Sequence, residues 1–143
     1  MKLLLCAPVA ALVALLGAAP APADPGTADT VGVSRQPPFV DHTEWVYWGR
    51  LPSLRVYPTP AARAVSRDTG TQGAAEEAWA EVLARSPDAH TPGMWEQFLC
   101  HWRFAEFARP GKTSWNLEPW RPVVDDAQMI AASCNPGGPE ETF

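Results

Sequence analysis

Two cysteines, Cys100 and Cys134, would remain in this 143-residue chain after removal of an expected export signal. An even cysteine count in an exported chain reads as a disulfide. Closing a loop of about 35 residues contributes on the order of 3–4 kcal/mol by chain entropy, a large share of the stability of a small domain. Metal binding is the competing reading, but no CxxC or HxxxH spacing accompanies the pair. Adjacent helix positions also point about 100° apart, so Cys100 and His101 are poorly placed to share one ion. The pair is therefore expected to be a disulfide, with neither metal nor cofactor.

The export reading rests on residues 1–23. Lys2 supplies a positive start, Leu3 to Leu16 form an apolar run, and Ala21-Pro22-Ala23 offers a cleavage site before Asp24. The run is too short to span a bilayer comfortably and lacks a basic stop-transfer cluster. A secreted product with no transmembrane segment is expected, and Cys6 leaves with the signal. Loss of Lys2 leaves ten Lys and Arg against sixteen Asp and Glu, a net charge of −6. That balance argues against nucleic acid and anionic membrane surfaces, which call for a basic footprint.

Residues 24–38 are rich in Pro, Gly, Ala, Thr and Ser and read as a flexible leader. A globular domain is expected over 39–138, with a short tail over 139–143. Alternation from Val40 to Trp48 predicts a strand, a turn spans Gly49 to Ser53, and Leu54 to Tyr57 predicts a second strand ended by Pro58 and Pro60. Arg63 to Gly73 reads as a loop. Ala75, Trp79, Val82 and Leu83 place an apolar stripe on a helix from about Ala74 to Arg85, with Thr71 as a cap. Thr91-Pro92 predicts the start of a second helix, with Met94, Trp95, Phe98, Leu99, Trp102 and Ala105 on its apolar face. A short strand over Trp115–Glu118 and a last helix from Asp125 or Asp126 to Cys134 complete the pattern. It predicts a small α+β domain: an N-terminal β-hairpin, then about three helices and one disulfide.

Three runs carry a resemblance: "CHW-FA" at Cys100–Ala105, "WNLEPWRP" at Trp115–Pro122, and "CNPGG" at Cys134–Gly138. With Trp79, Met94, Gln97 and Phe98, they resemble an uncharacterised family of secreted actinobacterial proteins carrying a domain of unknown function. The resemblance covers most of residues 40–140. It implies export from a high-GC Gram-positive bacterium and brings no catalytic residues with it.

His101 is the candidate for acid–base chemistry, with Glu106, Glu118, Asp125 and Asp126 as orienting carboxylates. Against this, a lone histidine beside a helix cysteine more often makes a structural hydrogen bond. Ser114 and Ser133 lack a GxSxG context, and a paired Cys100 is no nucleophile. A faint likeness to small secreted phospholipases fails because Trp102, not aspartate, follows His101. Seven tryptophans offer platforms for sugar rings or partner side chains, or simply a core. The disulfide would hold the His101 helix against the last helix, and Pro119 and Pro122 stiffen the connection between them. A ligand site lined by His101, Trp115, Glu118, Trp120 and Arg121 is therefore expected. The function expected is a binding or interaction module at the cell envelope, with a glycan or protein partner. The alternative is a small secreted hydrolase using His101, which requires a carboxylate within its reach in an open cleft.

Overall fold

The computed structural model describes residues 32–139. The expected signal, residues 24–31 of the expected leader and residues 140–143 of the expected tail lie outside the described residues. Two long strands, β1 (Val40–Trp48) and β2 (Leu51–Pro58), form an antiparallel hairpin. Gly49 starts its two-residue turn at φ 59°, a left-handed conformation of the kind such turns require. The turn is shorter than expected, and Pro52 lies inside β2 opposite Tyr47. A third strand, β3 (Trp115–Leu117), pairs with β2 only over Leu54–Val56. Pro52 therefore sits past the end of β3, where its missing N–H meets no third strand. The sheet order is β1-β2-β3.

Four helices accompany this sheet among the described residues: α1 (Pro60–Ser66), α2 (Gln72–Arg85), α3 (Met94–Ala108) and α4 (Asp126–Ala131). The domain is α+β, as the sequence predicts. α1 occupies the start of a stretch expected to be a loop. Thr59 caps it by accepting from the Ala62 N–H at 3.1 Å, and Pro60 fills the first helical position, where no N–H is required. Thr71 occupies the expected N-cap position of α2 but makes no side-chain cap bond; its hydroxyl accepts from Trp102 Nε1 at 3.0 Å. α3 starts after Gly93, at φ 85°, and not from a Thr91 cap.

The main core packs Met94, Phe98, Trp102 and Ala105 of α3 with Leu54 and Val56 of β2 and Trp115 and Leu117 of β3. Trp115 stands edge-on to both Phe98 and Trp102, each at 6.0 Å between ring centroids. Such aromatic pairs add roughly 0.5–1.5 kcal/mol each beyond area burial. Trp102 and Trp115 are thus core residues, whereas Trp48 is 53% exposed.

A second, smaller cluster joins α3 to α4 through Cys100, Met129 and Cys134. Cys100 and Cys134 are bonded, with Cα atoms 5.6 Å apart. Asp125 caps α4 by accepting from the Gln128 N–H at 2.8 Å. The helix ends at Ala131, short of the expected Cys134. There the Ser133 N–H bonds Ile130 O and the Cys134 N–H bonds Met129 O, the paired contacts of a Schellman motif. Ser133 and Cys134 accordingly take left-handed φ values of 51° and 66°.

Candidate functional site

Glu118 and Arg121 lie at the end of β3, three residues apart and both buried. Arg121 Nε donates to Glu118 Oε2 at 2.6 Å, and Ser53 Oγ donates to Glu118 Oε1 at 2.8 Å. The Gln97 amide bonds the Glu118 backbone twice: Nε2 donates to its carbonyl and Oε1 accepts from its N–H, both at 2.9 Å. The remaining Arg121 donors reach the carbonyls of Pro136, Gly138 and Pro139 at 3.2, 2.8 and 3.3 Å. This one guanidinium therefore ties the end of β3 to the C-terminal turn. Gly137 belongs to that turn at φ 89°, and a Cβ there would meet Pro122 Cδ at 2.8 Å. The half-buried Trp120 ring lies under the Arg121 guanidinium at 4.6 Å and donates through Nε1 to Pro52 O at 3.0 Å. Trp115 is buried among core rings.

His101, buried on α3, meets β3 at Asn116. Its Nε2 lies 3.1 Å from Asn116 O, so the proton resides on Nε2 and Nδ1 is the acceptor. Nδ1 makes no hydrogen bond with another described residue. Burial foremost, and then the nearby Lys112 charge, push the His101 pKa down to about 3 against the Asn116 bond, which raises it. The ring is neutral throughout the physiological range.

One face of His101 forms part of the wall of a cleft of about 390 Å³ between α3 and the turn after α4. Phe104, Ala108 and Ile130 give it an apolar lining beside the disulfide, Ser133 and Asn135 line it from the turn, and Lys112 and Arg109 add positive charge. No carboxylate lines it among the described residues. Of the five residues expected to form a ligand site, only His101 lines this cleft. Glu118, Trp120 and Arg121 form the brace described above, joined to His101 through the β3 backbone. No group of three or more His, Cys, Asp or Glu is placed to hold a metal among the described residues. No helix among them is long and apolar enough to cross a membrane.

The apolar half of the cleft escaped the sequence reading. Phe104 and Ala108 follow Cys100 at one- and two-turn spacing, on the same side of α3. A bond from Cys100 to Cys134 necessarily brings the residues around Cys134 beside that stripe. The signal was present, but the main apolar face of the helix masked it.

Comparison with known proteins adds kinship without chemistry. A family model described as "Protein of unknown function (DUF2599)" matches residues 40–137. An uncharacterized protein of Mycobacterium tuberculosis and another of Mycobacterium bovis are each 57% identical over 149 residues, covering 100% of both chains. An uncharacterized protein of Mycobacterium leprae is 52% identical over 100 residues, covering 70% of this chain and 80% of its own. No solved structure matches the chain.

Proposed function

This chain belongs to that family of proteins of unknown function (DUF2599), and from its own geometry we propose that it is a secreted binding module acting at the cell envelope. The observation that carries this reading is the His101 cleft. It offers an apolar lining and one neutral acceptor nitrogen, and the only hydrogen bond of His101 to a described residue goes to a backbone carbonyl. A hydrolase would place a carboxylate beside that ring, and none lines the cleft among the described residues. A partner in keeping with the cleft is an envelope protein that inserts an apolar side chain flanked by an N–H or O–H donor for Nδ1. Buried apolar anchors of this kind dominate the energetics of small interfaces.

The disulfide, Arg121 and Trp120 fit this role as a brace. They fix both walls before the partner arrives, which lowers the entropic cost of association.

The test is fractionation of cells producing the full chain. The protein is expected in the medium and on the envelope surface, starting at or near Asp24 by mass spectrometry. Ala108→Trp, which fills the cleft from an exposed helix position, should shift it from envelope to medium without lowering its melting temperature. Equal envelope retention of the folded variant would overturn the cleft as the site. Residues 1–23 still attached in a membrane fraction would overturn secretion.

A further inference from the structure

A second depression lies on another side of α3 and has different chemistry. It spans about 700 Å³ between the α1–α2 connection and the outer face of α3. Phe107, Leu99 and Phe104 provide apolar surface, and Phe107 is 66% exposed, the most exposed large hydrophobic side chain among the described residues. Facing them are Arg67, Asp68, Thr69 and Gln72 from the connection and the start of α2.

Every charged group that lines this groove already has a counter-charge. Arg67 pairs with Glu106 at 2.9 Å, Arg103 pairs with Asp126 at 2.9 Å, and Asp68 pairs with Arg35. A net-charged ligand therefore gains little there. Hydrogen-bonding capacity nevertheless remains, because each guanidinium has five N–H donors and each carboxylate about four acceptor positions. The wall is also fixed in place. The buried Trp102 ring donates through Nε1 to Thr71 Oγ1, which in turn donates to Asp68 O at 3.3 Å.

We infer that this groove is a binding site for a neutral oligosaccharide, with a pyranose ring stacked on Phe107 and its hydroxyls bonded to Arg67, Asp68 and Gln72. A sugar ring has an apolar C–H face and a rim of hydroxyls that both donate and accept, without net charge. That combination matches an exposed ring opposite planar polar groups whose charges are already paired. A nucleic acid or acidic glycan does not match it. The site shares Phe104 with the His101 cleft but is independent of the reading proposed for that cleft.

The test is a titration of the full oxidised chain, labelled with ¹⁵N, using chitotriose and maltotriose as neutral probes. Trp102 and Trp120 report separately, because the first indole N–H lines the groove and the second bonds Pro52 O on the sheet. One probe should shift the Trp102 indole signal and the Thr69–Gln72 amides saturably and leave the Trp120 signal in place. Phe107→Ala, at an exposed position, should weaken binding roughly three- to tenfold while Phe107→Trp preserves it. Ala108→Trp in the other cleft should leave the titration unchanged. No saturable shift with either probe would overturn the inference, as would equal binding by Phe107→Ala.

Discussion

His101 Nε2 lies 3.1 Å from the carbonyl oxygen of Asn116, tying the middle of α3 to β3 through one buried hydrogen bond. The bond requires a protonated Nε2, which neutral imidazole supplies. Protonating Nδ1 as well would place a charge in the interior.

The pH dependence of stability follows from that. The folded-state pKa of about 3 lies below the ordinary 6.5, so the unfolded chain binds the extra proton first as pH falls. This contribution is whole above pH 6.5, declines as pH falls toward 3, and levels off below. The slope approaches about 1.4 kcal/mol per pH unit in the middle of this window. Urea unfolding of the wild type and His101→Gln across this window isolates the effect, since Gln can donate to Asn116 O without titrating. Parallel pH profiles for the two proteins would refute it.

Arg121 is the second point of vulnerability. Arg121→Met leaves Glu118 buried without its cation and removes the donor to three carbonyls, and an uncompensated buried charge costs about 3–5 kcal/mol. Pairing it with Glu118→Gln should restore part of that loss. Chemical denaturation of the single and double variants reads the coupling directly. A single variant as stable as the wild type would show that the pair holds nothing together.

The Cys100–Cys134 bond closes 34 residues of sequence separation and should contribute about 4 kcal/mol. The double variant Cys100→Ala/Cys134→Ala should unfold at correspondingly lower urea concentration. Its Ala131–Asn135 amides should exchange faster with solvent than those of β2. Uniform exchange would contradict the division into two packed clusters.

Ser133 holds φ 51° at the end of α4, where glycine is the usual residue. Ser133→Gly should raise stability by about 1 kcal/mol, because a Cβ in left-handed backbone is costly. A lower melting temperature would mean that the Ser133 side chain contributes more than its backbone costs.

Much of the architecture was legible because local rules decide it. Alternation in Val40–Trp48, the apolar stripe of α3 and the Asp125 cap each act within a few residues. α1 was missed although Thr59-Pro60 is a cap followed by a proline, because two prolines close together read more readily as the end of a strand. Gly93 displaced the expected Thr91 start for a related reason: one left-handed residue redirects the chain, and sequence alone does not announce its φ.

The candidate site was legible in part. His101 lies in a cleft, and an even cysteine count was enough to pair Cys100 with Cys134. The fates of Glu118 and Arg121 were not legible. Spaced i, i+3 between prolines, they suit an exposed binding pair as well as a buried brace. What decides is Ser53, 65 residues away, which donates to the buried carboxylate, and Gln97, 21 residues away, which satisfies the Glu118 backbone on both sides. The sequence by itself determined the hairpin, the helical faces and the disulfide, because periodicity and cysteine count are local or pairwise properties. Only the tertiary structure decided which charged and aromatic side chains face solvent, because burial of a polar group depends on partners that the chain assembles from distant segments.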